Sequence, residues 1–328
     1  MTEPLSSGWV QRLSDQCAAP VAVVLAEGED RRVREAASEL AALGVRPILV
    51  GRWRADLSRE VECRSVHELH TATVAARLDE LAARKGWSAS RRREAAADPL
   101  LVSAFSVGAG EADAAVAGAV TPSGDVIRAA LRGIGLAPGT ALLSSCFLLE
   151  LGTGAPVAFA DCAVVPEPDS AGLTDIALST AHTFGALTGR EPVVAMLSFS
   201  TGGSADHPSV RLVREATALA LQRDPSLRID GELQFDAAFI PSVAASKAPD
   251  SSVAGAANVF VFPNLAAGNI GYKIAERIGN ASAYGPILQG LRAPMNDLSR
   301  GCSAQDVVNV SLISALQAVS ADRSAVAG

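Results

Sequence analysis

The sequence predicts an α/β fold of two three-layer α/β/α domains, on three grounds. Its 328 residues are enough for two ordinary domains with their own cores. The composition, 49% hydrophobic with only 4% aromatic, suits Val/Ala/Leu-rich packing of helices on sheets. Continuous apolar runs suited to doubly covered strands alternate with helical stretches, and this alternation produces parallel sheets.

The first unit sets the pattern. Pro20–Leu25 is an unbroken apolar run, followed by Glu27-Gly28-Glu29-Asp30 and a charged, Ala-rich helix to Leu43 that Gly44 ends. Pro47–Val50 then reads as a second strand, completing a βαβ unit. A helical, Arg-rich stretch from Thr71 to Ala97 leads to a small-residue strand, Ala114–Val120, the turn Thr121-Pro122-Ser123-Gly124 and a helix from about Asp125. Further strands are expected at Thr140–Phe147, Pro156–Ala160, Val193–Ser198 and Val259–Phe262, with helices at Gly172–Gly189 and Pro208–Gln222 between them. There is no solenoid repeat, and Ser320–Gly328 reads as a fraying Ala/Ser tail.

The net charge of -7 removes the broad basic field that a sequence-independent nucleic-acid binder needs, so anionic ligands must be held by local arginines. Cys17, Cys63, Cys146, Cys162 and Cys302 are scattered without a close pair, which suggests neither a zinc site nor a disulfide framework and fits a reducing cytoplasm. The first ten residues lack a basic region followed by an apolar run, and no apolar stretch reaches membrane length. The expected partners therefore include neither nucleic acid nor membrane.

In such folds ligands sit beyond the carboxyl ends of strands, which directs attention to three loops. In the first, Leu197–Ala205, a strand opens into hydroxyls and glycines whose backbone amides suit an anion, although neither a P-loop lysine nor a dinucleotide fingerprint is present. The second, Phe262–Lys273, leads into a helix on which Ile270, Ile274 and Ile278 recur at helical spacing and predict a packed face. The third is Asn296-Asp297-Leu298-Ser299-Arg300-Gly301, with Ser303 as helix N-cap and Asp306 in the first turn. Capping alone accounts for Asp306, and a salt bridge alone accounts for Arg300. Together, however, a hydroxyl, a guanidinium and a carboxylate suit a reaction between a thiol and an acyl phosphate: the guanidinium grips phosphate and the carboxylate receives a proton.

These residues resemble the phosphate acetyltransferase family, which shares its broad fold with the phosphate butyryltransferases. The likeness runs through Ala112–Val120, Arg128–Leu131, Leu197–Ser204, Asp230–Ala238, Lys247–Pro249, Asn258–Lys273, Gly285–Gly290 and Asn296–Asp306, about two-thirds of the chain. It implies an isocitrate-dehydrogenase-like architecture: a first domain of residues 1–140 completed by 286–328, a second of 141–285, and an active site in the cleft between them. It also implies a homodimer.

The resemblance further implies transfer of an acetyl group between coenzyme A and inorganic phosphate, with coenzyme A, acetyl-CoA and acetyl phosphate as substrates and neither a permanent cofactor nor a metal. Asp306 is then the thiol's proton acceptor, Ser299 and Arg300 serve the reacting centre, and Ser123, Arg128, Asn269, Lys273 and Asn296 bind substrate. Ser123 also reads as a helix cap, and Arg128 as an exposed helix charge. The chain departs from the family at Ala82, where an arginine that binds the coenzyme is expected and for which Arg84 is the nearest substitute. It departs again at Gly202, where lysine is usual, and at Asn264, where an acidic residue is usual. A propionyl or butyryl transferase, or a non-catalytic paralogue that binds coenzyme A or an acyl phosphate, is the alternative reading. A metal-dependent NAD(P) dehydrogenase lacks its glycine fingerprint here.

Overall fold

The computed structural model describes residues 5–17, 19–52, 57–152 and 155–327. In chain order the first eleven elements are α1 (Leu5–Gln16), β1 (Ala22–Leu25), α2 (Arg31–Ala42), β2 (Arg46–Val50), β3 (Glu62–Arg64), α3 (Val66–Leu69), α4 (Ala72–Lys85), α5 (Ala89–Ala96), α6 (Pro99–Gly108), β4 (Ala114–Ala117) and α7 (Ser123–Gly133). Eleven more follow: β5 (Ser144–Glu150), β6 (Pro156–Ala160), α8 (Ser170–Thr188), β7 (Val193–Leu197), α9 (Pro208–Arg223), β8 (Arg228–Leu233), α10 (Phe235–Phe239), α11 (Pro241–Lys247), β9 (Val259–Val261), α12 (Leu265–Arg277) and β10 (Ser282–Gln289). The chain closes with β11 (Met295–Asp297) and α13 (Ala304–Ala327).

Two compact units result, 1–138 with 291–328, and 139–290. The first has a five-stranded sheet in the order β11-β4-β1-β2-β3, with every pairing parallel. Each strand of β1 and β4 is buried along its whole length, as its unbroken apolar run requires. Helices α1, α2 and α13 cover one face and α3 to α7 the other, where Val24, Ile48, Leu78, Val102, Phe105 and Val126 build the core. The last strand of this sheet, β11, comes from the end of the chain, so the parallel register Asn296↔Val116 and Asp297↔Ala117 brings the third candidate loop beside the end of β4.

The second unit has six strands in the order β10-β5-β6-β9-β7-β8, parallel from β6 to β8 and antiparallel at the β10 and β5 edge. Helices α8 and α9 pack on one face, and α10 and α12 on the other, around Phe159, Phe260 and Leu233.

Several boundaries move from where the pattern put them. The Arg-rich stretch is not one helix, because Gly86 at φ 63° closes α4 and Ser88 caps a separate α5. α6 was hidden by its composition: eight consecutive residues, Leu100–Val107, are buried, so no amphipathic period marks it. The strand expected from Thr140 begins at Ser144, and α13 takes in most of the segment expected to fray.

Candidate active site

Beyond β1, β2 and β4 of the first unit lies a cavity of about 990 Å³, bordered by Glu27, Asp30, Gly51, His67, Val120 and Thr121. A second, of about 360 Å³, shares Glu27 and Thr121 with it and is lined by Arg91, Arg128 and Arg132. Both lie where ligands of parallel sheets are held.

Their common edge is the loop from β4 to α7. Gly118 stands at φ 109°, and a side chain there would meet Asp297 Oδ1 at 2.3 Å and the Leu298 backbone nitrogen at 2.6 Å, so only glycine lets this loop pass against the end of β11. The next backbone amides converge on one carboxylate. Glu27 Oε2 accepts from the amides of Gly118 at 2.9 Å and Ala119 at 2.7 Å, and Oε1 from those of Val120 at 3.2 Å and Thr121 at 2.8 Å. Four successive amides around one anion form a nest, here filled by the protein's own side chain.

Arg32 joins this loop to the third candidate loop. Its Nη1 donates to the carbonyl oxygens of Arg300 and Cys302, both at 2.9 Å, and its Nη2 to that of Ala119 at 2.8 Å. Asp30 fixes the guanidinium by accepting from Nε at 3.0 Å and Nη2 at 2.9 Å. Asp30 is held below its ordinary pKa, first by this bond to Arg32.

Six of the residues chosen from sequence belong to the first unit. Ser299 and Arg300 are exposed on the turn before α13, with Ser299 Oγ accepting from the Gly301 amide at 3.2 Å. Among the described residues the Arg300 guanidinium carries no ion pair or hydrogen bond, which leaves it open to an anion. Asp306 is exposed in the first turn of α13, and its Oδ2 accepts from Ser303 N and Oγ, both at 2.8 Å, while Ser303 Oγ accepts from the Asp306 amide at 3.2 Å. The expected cap is therefore present, and it engages one carboxylate oxygen only.

Ser123 does not cap α7. The N-cap is Pro122, Ser123 is the first helical residue, and its hydroxyl lies near enough to the Asp297 carboxyl to lower that group's pKa. Arg128, one turn on, pairs with Asp125 at 2.5 Å on the surface and lines the smaller cavity. Asn296 is turned inward. It is fully buried, and its Nδ2 donates to Ser314 Oγ at 2.8 Å and Gln317 Oε1 at 2.7 Å, which ties β11 to α13 and leaves this amide facing the helix rather than an open surface.

Asn269 and Lys273 belong to the second unit. Lys273 Nζ donates to Asn269 Oδ1 at 2.8 Å, and Asn269 Nδ2 donates to the Cys162 carbonyl at 2.9 Å. The packed face expected from Ile270, Ile274 and Ile278 is not there. These three are 59%, 52% and 82% exposed, and α12 instead packs through Gly268, Gly271 and Tyr272. Gly268 rests on the Asp161 carbonyl, where a side chain would approach to 2.1 Å, Gly271 meets the Phe262 ring, and Tyr272 stacks on Phe147 at 4.0 Å. Small residues let the backbone approach, so the larger isoleucines point away.

The anion at the first candidate loop is also internal. Glu232 accepts from Ser200 Oγ at 2.8 Å and the Gly203 amide at 2.9 Å and is gripped by Arg214 through Nε at 2.5 Å and Nη2 at 2.9 Å. Burial pushes its pKa up, but these bonds outweigh burial and hold it at about 2.

Of the departures, Ala82 is buried on α4 and Arg84 is exposed near that helix's end. α4 packs against α5 and α7, the helices that carry Arg91, Arg128 and Arg132. The sequence reading passed over Glu27, Arg32, Asp297 and these two extra arginines. For Glu27, the strand-end rule pointed at Glu27–Asp30, directly after β1.

The profile of the phosphate acetyl/butaryl transferase family matches residues 9–315. The chain is 48% identical over 301 residues to a phosphate acetyltransferase from Paracoccus denitrificans, covering 90% of this chain and 94% of that protein. With one from Bacillus subtilis it shares 44% over 309 residues, 91% and 95% of the two chains. The solved phosphotransacetylase from Streptococcus pyogenes superposes with a TM-score of 0.88 at 40% identity, covering 96% of this chain and 98% of that one. The family profile, the near-full-length relatives and the superposed structure agree, and the chain belongs to the phosphate acetyl/butaryl transferase family.

Proposed function

We propose that this chain is a phosphate acetyltransferase, interconverting acetyl-CoA and phosphate with acetyl phosphate and coenzyme A. The observation that carries the reading is near-full-length similarity to proteins of that name, joined to an exposed Ser299-Arg300 turn and an exposed Asp306 whose Oδ1 accepts no hydrogen bond among the described residues.

In the direction of thioester synthesis, Asp306 takes the proton of the coenzyme thiol, which is mostly protonated at neutral pH. The thiolate attacks the acetyl carbonyl of acetyl phosphate, and a tetrahedral oxyanion forms. Ser299 donates a hydrogen bond to it, and Arg300 neutralises charge on the oxyanion and the phosphate. The carbon–oxygen bond to phosphate then breaks, phosphate departs with that electron pair, and the thioester remains. Arg128, with Arg91 and Arg132 beside it, supplies positive charge for the coenzyme's phosphates. Ser123, Asn269 and Lys273 contact the substrates. Coenzyme A is a substrate in this direction and a product in the reverse one.

The working form is a homodimer, and the isoleucine stripe of α12 is the surface that favours it: three exposed isoleucines four residues apart on one helix face are costly in water. The location is the cytoplasm. Five cysteines without a disulfide suit it, and among the described residues no helix is long and apolar enough to cross a membrane.

Purified protein should release free thiol from acetyl-CoA only when phosphate, or arsenate in its place, is present. Thiol release that ignores both anions contradicts the reading. Propionyl-CoA and butyryl-CoA in parallel test the acyl group, and butyryl-CoA turning over faster than acetyl-CoA contradicts the acetyl assignment.

A further inference from the structure

Glu27 is partly buried at the shared edge of the two cavities, and its carboxylate is satisfied by four consecutive amides of a single loop. That loop leaves β4, and among the described residues these amides have no strand partner, so the carboxylate is their acceptor. What it directs is the ground between the proposed reacting groups. From the loop's far end starts α7, which opens with Ser123 and carries Arg128 on the cavity wall. From its Ala119 carbonyl the chain of contacts runs through Arg32 to the carbonyls of Arg300 and Cys302, the second and last residues of the turn Ser299–Cys302.

We propose that Glu27 is a positioning residue for acetyl transfer, holding Gly118–Thr121 so that α7 on one side and the Ser299-Arg300 turn on the other keep their reacting arrangement. This rests on the transferase reading above. Two features of the carboxylate are required. It offers two acceptor oxygens with no donor, which glutamine does not, since its NH₂ would oppose amides that also donate. It also carries the negative charge that four converging amide dipoles favour. Substrate touches neither Glu27 oxygen in this scheme, because both are occupied from within the chain.

The test uses the full-length protein, Glu27→Ala and Glu27→Gln, with kcat and KM from the phosphate-dependent thiol-release assay and sodium formate as the probe of the emptied cradle. A misplacement of about 1 Å costs about 100-fold in rate, so both variants should lose roughly 10–100-fold in kcat while KM for acetyl-CoA moves less than about threefold. Formate, a carboxylate small enough for the space that alanine leaves, should restore Glu27→Ala in a saturable manner. It should leave Glu27→Gln and wild type unchanged, since their cradles are filled. A folded Glu27→Ala or Glu27→Gln with wild-type kcat overturns the proposal, as does a folded, inactive Glu27→Ala that formate does not restore. Where Glu27→Ala does not fold, the kcat of Glu27→Gln decides. A wild type without phosphate-dependent transfer sinks the transferase reading itself, whereas an active wild type with equally active variants sinks only the role of Glu27.

Discussion

Arg32 Nη1 donates to the Arg300 carbonyl oxygen at 2.9 Å across 268 residues of sequence. With the equal bond to Cys302 it holds the turn Ser299–Cys302 at its second and last residues, and Asp30 supplies the counter-charge. Hydrogen bonds from a charged donor contribute about 1.5–3 kcal/mol each. Replacing Arg32 by alanine should therefore lower kcat by roughly 10–100-fold, with a smaller effect from lysine, which supplies a point charge but no planar fork. Steady-state kinetics of the two variants check this.

Asp297 follows from burial. It is 2% exposed, its Oδ1 has no hydrogen-bond partner among the described residues, and its pKa is pushed up to about 6, chiefly by desolvation and further by the charge of Glu27, against the Ser123 hydroxyl and the Leu298 amide. A carboxyl whose pKa is higher in the folded state holds its proton longer than in the unfolded chain. Stability from this group is full below about pH 4 and is lost as pH rises to about 6, by an amount on the order of 3 kcal/mol. Asp297→Asn should thus be more stable than wild type above about pH 6, with the difference vanishing toward pH 4. Urea midpoints between those values test it.

Glu232 has the opposite sign. Burial raises its pKa, but the Arg214, Gly203 and Ser200 bonds prevail and set it at about 2. Its contribution is complete above about pH 4.5 and falls away as pH drops toward about 2. Glu232→Gln should destabilise the protein by about 1–3 kcal/mol at neutral pH, the usual scale for a charged acceptor of several bonds. The loss should shrink in acid, which thermal unfolding across that range will show.

The pattern of apolar runs was enough to place β1, β6 and β7 within two residues, because doubly covered strands leave uninterrupted Val/Ala/Leu segments. It failed at α6, buried all round, and at β11, three residues whose strand character comes from pairing with β4. The Ser303–Asp306 cap was legible from residue type and spacing, whereas the roles proposed for Ser299, Arg300 and Asp306 rest on the family resemblance. Glu27, Arg32 and Asp297 were not legible: their partners lie 91, 268 and 174 positions away, beyond any local window. The isoleucines of α12 were read with the right period and the wrong environment, since period marks a face and not what covers it.

That stripe yields a prediction of its own. If α12 closes a dimer, Ile274→Asp places a charge in the middle of the interface and should shift the mass measured by light scattering from two chains to one. A change at Leu221, 41% exposed on α9, should not. An unaltered mass for Ile274→Asp contradicts dimerisation through this helix.

The acetyl-transfer account is tested most directly by the thioester absorbance that appears when acetyl phosphate and coenzyme A are mixed with the purified protein, wild type beside Asp306→Asn. The prediction is thioester and phosphate in equal amounts with wild type, and a rate about 10²–10⁴-fold lower for a folded Asp306→Asn, the usual worth of a positioned base. Phosphate release without thioester, or an Asp306→Asn rate equal to wild type, would contradict it.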